Sequence, residues 1–281
     1  MSISINISRK VVGFVLAFCA LPFLFNLLGI DFASAKKPFD ISVASQLTKS
    51  AVIDSMFYTL RGSITHTILE WSAFCVAIMT AVLSFTHFKI RRDLVTPIIG
   101  VSLLAAGCMD AFHTLAADRL IEATADNKNL IPFTWAICRL FNVLILMVGV
   151  FILLIKGKDE TRPQFILGVS LVFGLAAYAI IDYCAVSANL PQTMYPDSVI
   201  TRPWDVIPLI LYIVAGAWLF PKFYRIYPTY FSFSLLISVI PHIATQLHMA
   251  FGSTSLFDNH FNIAHFLKII AYVVPFLGLL A

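Results

Sequence analysis

The sequence contains few charged residues. Of 281 residues only 12% are charged, while 59% are hydrophobic and the mean hydropathy is +0.89. A water-soluble domain of this size does not need so much apolar surface, so the balance indicates a chain surrounded by lipid. The net charge of +4 is small and dispersed, which argues against nucleic acid as a partner.

Several other features are missing. The strict alternation of a β-barrel strand is absent, and the apolar runs are about 20 residues long, as membrane helices require. No CxxC pair occurs, and all five cysteines lie in or at the ends of apolar runs, which is typical of small buried hydrophobes. The sequence has no P-loop, no GxSxG elbow and no Cys–His nucleophile pair, so no enzymatic activity is predicted for this chain.

The apolar runs predict an all-α, polytopic membrane bundle of about eight transmembrane helices. The first is expected at 11–30, although Ala-Ser-Ala at 33–35 leaves a signal peptide as the alternative. Residues 31–62 are predicted to form a mixed, partly amphipathic loop. The expected units are therefore 1–62, a first membrane helix with an extracytoplasmic loop, and 63–281, the main bundle. Its predicted spans are 63–86, 95–116, 133–155, 164–185, 204–220, 230–251 and 261–281.

Basic residues predict the orientation. Ten Lys and Arg lie in the N-terminus and the links at 88–93, 156–162 and 221–228. The opposite loops carry seven, and eight acidic residues offset those seven. The first set is therefore expected in the cytoplasm, with both termini inside. The last span reaches Ala281 without a basic flank, so we expect a cytoplasmic domain to follow in the full-length protein.

Ionisable side chains interrupt the spans at one depth. Each lies within about 10 Å of the predicted outer end of its span, and such groups in a membrane mark a functional site by default. The candidates are His66, Glu70, Asp110, His113, Arg139, Asp182, Tyr183, Asp205, His248, His265 and Lys268.

Among these, we expect His66, His113 and His265 to converge, with Glu70 and Asp110 as a fourth ligand or as groups that support the ligands. Imidazoles and carboxylates from different helices suit zinc, copper or iron, and two histidines can hold a haem. The supporting residues would be Arg139, Lys268 and His248.

Other interpretations stay open. Arg139 is expected to contact Glu70 or Asp110, directly or through a bound group, and such a contact could be a purely structural ion pair. Lys268 could extend towards the interface. His242 follows Pro241 and is expected to satisfy a kinked backbone. Without a metal, the polar layer could bind a headgroup, a quinone or a small anion.

Four motifs occur in a specific order: Thr65–Glu70 (THTILE), Asp110–Leu115 (DAFHTL), Trp135–Leu140 (WAICRL) and Asn262–Ile269 (NIAHFLKI). Over roughly residues 60–281 the chain resembles the third type of membrane-associated sensor (MASE) domain. Ala264 stands where a glycine is expected, and Pro241 with His242 where an acid is expected nearby, which weakens any role carried over to His248.

The resemblance implies an N-terminal sensory input module of a bacterial histidine kinase or diguanylate cyclase, with a two-component system as the expected setting. It implies the inner membrane as location. The expected partners are the lipid bilayer, the chain's own C-terminal cytoplasmic domain and a second copy in a homodimer. The rival hypotheses are a haem- or metal-binding membrane redox enzyme and a small-molecule transporter, although the spans show no repeated halves.

Overall fold

The computed structural model describes residues 5–34, 41–156 and 163–281. Residues 157–162 of the predicted link at 156–162, including Lys158, lie outside the described residues. The same holds for the loop residues Lys36 and Lys37. The described part is helical, without strands. Its α-helices are α1 (Ile5–Leu27), α2 (Lys49–Arg91), α3 (Val95–Ala117), α4 (Asn127–Lys156), α5 (Pro163–Val186), α6 (Val206–Val214), α7 (Phe220–Ile226), α8 (Tyr230–Leu247) and α9 (Asn259–Leu280).

Short helical turns of other types extend these elements. A 3₁₀ turn at Pro203–Asp205 precedes α6, a π-helical turn at Ala215–Leu219 joins α6 to α7, and another at His248–Gly252 extends α8. With these additions, the described residues contain eight helical stretches that are long and apolar enough to cross a membrane. The prediction of an all-α bundle of eight spans is therefore confirmed.

The start of α2 differs from the prediction. The expected loop at 31–62 includes a 3₁₀ turn at Ile41–Gln46, and α2 already begins at Lys49. With 43 residues, α2 is about 65 Å long, roughly twice the thickness of the hydrocarbon layer. A helix of this length is longer than the hydrocarbon layer is thick, so part of it extends beyond the membrane. Polar residues interrupt the apolar pattern in the first turns of α2, so the search for apolar runs did not predict a helix there.

Side chains at the helix ends satisfy free backbone groups. The Thr48 hydroxyl accepts a hydrogen bond from the Ala51 amide at the start of α2. Thr229 and Ser232 form a capping box at the start of α8. Asp258 accepts from the Phe261 amide at the start of α9. These caps set where α2, α8 and α9 begin.

The helices form a closed ring. Neighbours pack in the order α2, α3, α4, α6, α8 and α9, and α9 returns to α2; α1 lies outside on α8, and α5 lies outside on α3. Helix α3 is almost wholly buried. Small residues let α2 and α3 approach closely, with Gly100 against Ser84 and Gly107 against Ala77. The ring thus places polar residues of α2, α3, α4 and α9 inside the bundle.

Candidate metal centre

Three helices contribute the side chains of one buried cluster. Helix α2 presents His66 and Glu70 on one face, because residues at i and i+4 lie above one another. Helix α2 packs against both α3 and α9, which bring His113 and His265 to the same point. All four side chains are at most 1% exposed.

The ligating atoms of the cluster are close together. One atom from each of the four side chains lies within 4.8 Å of all the others. The two Nε2 atoms of His66 and His113 are 3.2 Å apart, and Nε2 of His265 is 3.1 Å from Oε1 of Glu70. Ligand atoms around a tetrahedral ion with bonds of 2.0–2.1 Å are about 3.3 Å apart. Two separations in the cluster therefore match those of a metal site, and the widest, 4.8 Å, would have to shorten by about 1.5 Å on binding.

Hydrogen bonds at the far side of two rings determine which nitrogen carries the proton. Nδ1 of His265 lies 2.6 Å from the Phe261 carbonyl oxygen, which can only accept, so Nδ1 donates. The Thr134 hydroxyl donates to the Leu130 carbonyl at 2.6 Å and therefore accepts from Nδ1 of His113, also at 2.6 Å. In both rings the Nε2 lone pair is thus directed into the cluster, as a metal ligand requires.

Several atoms in the cluster lack hydrogen-bond partners within the described residues. They are Nδ1 of His66, Oε1 of Glu70 and Nε2 of His265, all buried. Buried polar atoms in proteins are nearly always hydrogen-bonded, so such a group of exceptions needs an explanation. An ion bound by Oε1 of Glu70 and Nε2 of His265 would satisfy two of the three.

Lys268 supplies the positive charge beside the cluster. Its ammonium group forms an ion pair with Oε2 of Glu70 and lies 3.3 Å from Oδ1 of Asp110. It also lies 5.1 Å from the centre of the Trp135 ring. Lys268 is fully buried, so its ion pairs hold α9 against α2 and α3 where solvent does not screen them.

A chain of hydrogen bonds leads from Asp110 away from the cluster. The Tyr272 hydroxyl donates to Asp110 and accepts from the Asn142 amide, and the Tyr212 hydroxyl donates to Asn142, each at 2.8 Å. Arg139 donates to Tyr212 at 2.8 Å and contacts Nδ1 of His242 at 2.6 Å. The chain therefore connects the cluster to α4, α6 and α8.

Comparison with known families identifies the chain. The family model of the membrane-associated sensor domain MASE3 matches residues 62–281, which include the cluster and the hydrogen-bond chain. This protein belongs to the MASE3 family. Comparisons with curated proteins and with solved structures found no match. The resemblance inferred from the four motifs is confirmed, and the family supports a membrane-associated sensory input role.

Lys268, and not Arg139, is the direct partner of the acids in this MASE3 domain. Lys268, predicted as a supporting residue with extension towards the interface as the alternative, pairs with both carboxylates. Arg139 forms no direct ion pair with Glu70 or Asp110 within the described residues; it contacts Tyr212 and His242 instead. Its guanidinium also lies 5.8 Å from the Trp135 ring centre. Both cations lie at similar depth, and only the rotation of α4 and α9 decides which one reaches the acids.

The MASE3 bundle leaves other predicted residues outside the cluster. Nδ1 of His248 lies 2.9 Å from Nδ1 of His260, so this pair forms a separate contact. Asp182 and Tyr183 are exposed. Asp205 is buried and accepts hydrogen bonds from Trp135 at 2.9 Å and Gln246 at 3.3 Å.

Sequence reasoning missed three supporting residues. Thr134 orients His113, Tyr272 binds Asp110, and His242, expected to serve a kinked backbone, instead contacts Arg139 and stacks on Tyr212 with ring centres 4.4 Å apart. Thr134 and Tyr272 carry no charge, so nothing in the sequence marked them as polar partners inside apolar spans. His242 is ionisable and therefore noticeable in the sequence, but its partner Arg139 lies 103 positions away.

Proposed function

We propose that this MASE3 domain senses a transition-metal ion of the zinc, copper or iron class. The ligands would be Nε2 of His66, His113 and His265, with Oε1 of Glu70. The observation that carries the proposal is the convergence of these four ligand atoms within 4.8 Å in a fully buried cluster. Neutral imidazoles with one carboxylate suit these metals, while magnesium and calcium prefer oxygen ligands.

A haem fits this cluster poorly. Two axial imidazoles bind on opposite faces of the macrocycle, so a planar ring must fit between them. Here the His66 and His113 nitrogens are in direct contact at 3.2 Å, and the rings of Phe261 and Trp135 lie about the third histidine with centres 4.1 and 4.2 Å away. A single ion needs no planar space between two imidazole rings. The haem-based redox alternative is therefore not favoured.

Charge balance suggests how binding would be transmitted. Glu70 and Asp110 carry two negative charges, and Lys268 with Arg139 carry two positive charges. A divalent ion at Oε1 of Glu70 would compete with Lys268, which holds the other oxygen. Binding would then weaken the Lys268–Glu70 ion pair and shift α9, which carries both Lys268 and His265, relative to α2.

The signal would leave through α9. In the orientation inferred from the basic links, the last span runs from the outer face to the cytoplasm, where a histidine kinase or diguanylate cyclase domain would follow. The site would then lie in the outer leaflet of a bacterial inner membrane. A homodimer would let a shift of two α9 helices change the spacing of two output domains.

The proposal is tested by metal binding to matched histidine variants. The purified protein is stripped with a chelator, equilibrated with Zn²⁺, Cu⁺ or Fe²⁺, and its metal content and affinity are measured. His113→Gln and His265→Gln should each lose stoichiometric binding, whereas His248→Gln, outside the cluster, should keep it. Equal loss in all three variants, or no stoichiometric metal in the unaltered protein, would overturn the proposal.

A further inference from the structure

A cavity opens at the end of the bundle opposite the metal cluster. Its volume is about 690 Å³, and its wall combines the α2–α3 link with the start of α8 and the last turn of α9. We call it the arginine cavity, because Arg91 and Arg92 line it together with Thr96, Tyr227, Thr229 and Gly278. It therefore lies at the C-terminal end of α9, on the side of the basic links.

The arginine cavity is suited to an anion. Its one described acid, Asp93, is already engaged, because its carboxylate lies 3.0 Å from Nδ1 of His87 and accepts from the Thr96 amide at 3.0 Å. Arg91 and Arg92 have no carboxylate partner within the described residues. The N-terminal ends of α3 and α8 also line the cavity, and the positive end of a helix dipole favours negative charge.

An apolar groove adjoins the arginine cavity. This α1 groove has a volume of about 560 Å³ and lies between α1 and the α8–α9 pair, with Val11, Phe14, Phe18 and Val274 in its wall. Tyr230, Gly278 and Ala281 line both spaces, so the two adjoin. The basic arginine cavity beside the apolar α1 groove matches a molecule with an anionic headgroup and a hydrocarbon tail.

We propose that this end of the domain binds one anionic phospholipid, with its phosphate in the arginine cavity and an acyl chain in the α1 groove. Basic pockets between membrane helices on the cytoplasmic side are suited to anionic headgroups. The occupant would contact the last turn of α9, so the lipid composition of the membrane would influence the same helix as the metal ion. The lipid site shares no residue with the metal cluster and does not depend on the proposed metal.

Native mass spectrometry of the purified protein in detergent tests the assignment. Phosphatidylglycerol and phosphatidylcholine are added separately at equal concentrations, and retained lipid is counted. One phosphatidylglycerol should be retained in preference to phosphatidylcholine, and Arg91→Gln with Arg92→Gln should weaken its binding by about 30-fold. The matched control replaces Lys222 and Arg225, which are exposed basic residues of α7 outside the cavity, with glutamine and should bind normally.

A second variant tests the acyl chain. Val11 is 38% exposed in the wall of the α1 groove, so Val11→Trp should fill the groove and reduce phosphatidylglycerol binding without unfolding the bundle. If the Arg91/Arg92 variant and the Lys222/Arg225 control lost equal amounts of phosphatidylglycerol binding, the lipid would be attracted by basic surface charge in general. That result would overturn the proposed site. Unchanged binding in Val11→Trp, with competition by glycerol phosphate, would mean an anion site without a lipid and overturn the assigned occupant.

Discussion

Lys268 of α9 forms a fully buried ion pair with Glu70 of α2. The same ammonium group lies 3.3 Å from Asp110 of α3. The Lys268 side chain thus links the three helices that carry the histidines. It contacts Oε2 of Glu70, whose other oxygen, Oε1, lies in the cluster.

Loss of this cation should destabilise the bundle. Lys268→Met removes the cation that contacts both buried carboxylates and leaves them without a direct ion-pair partner, which costs about 3–5 kcal/mol. The free energy of unfolding, measured by denaturant titration in mixed micelles, should fall by that amount. Arg225→Met, at an exposed position, is the control and should change it by about 0.5 kcal/mol or less.

Metal should compensate for the missing lysine. In Lys268→Met no ammonium group competes for Glu70, and an added divalent ion supplies the charge that the two acids lack. Saturating Zn²⁺ should therefore raise the stability of Lys268→Met more than that of the unaltered protein. An equal gain in both proteins would show that Lys268 and the ion do not compete.

Thr134→Val should weaken metal binding without removing a ligand. The substitution keeps the side-chain shape but removes the oxygen that accepts from Nδ1 of His113. Loss of such an orienting hydrogen bond costs about 10–100-fold in metal affinity. Thr80→Val is the matched control, because the Thr80 hydroxyl is also buried but bonds only to its own helix. Similar affinities for the two variants would argue against an orienting role for Thr134.

Tyr272→Phe should break the hydrogen-bond chain that leads from Asp110 to Asn142, Tyr212 and Arg139. It removes the hydroxyl that links Asp110 to Asn142 and leaves both groups short of a partner, at a cost of about 1–3 kcal/mol. Thermal unfolding in detergent should show the loss, while metal affinity changes little. In the comparison variant Tyr178→Phe, where the ring is 66% exposed on α5, stability should stay within about 0.5 kcal/mol.

Orientation is testable with introduced cysteines. Arg225→Cys lies on the side of the basic links and Asp197→Cys on the opposite side, and both positions are exposed. A membrane-impermeant thiol reagent applied to intact cells should label Asp197→Cys only. Labelling of Arg225→Cys from outside would reverse the inferred topology and place the metal cluster on the cytoplasmic side.

The sequence allowed the cluster to be predicted but not its contacts. A rise of about 1.5 Å per residue places His66, His113 and His265 at one depth once the spans are known, and helical spacing adds Glu70 to the face of His66. Depth does not determine rotation about the helix axis, so it could not decide between Arg139 and Lys268 as partner of the acids. That choice depends on the packing order of the ring, in which α9 returns to α2.

X-ray absorption spectroscopy of the zinc-loaded protein measures directly how the ion is coordinated. We predict one tightly bound ion with about three imidazole nitrogens at about 2.0–2.1 Å and one carboxylate oxygen at about 2.0–2.2 Å. In Glu70→Gln the carboxylate contribution should disappear while the imidazole signal stays. A first sphere dominated by water or sulfur, or an imidazole signal that survives replacement of His113 and His265 together, would contradict metal binding by the cluster.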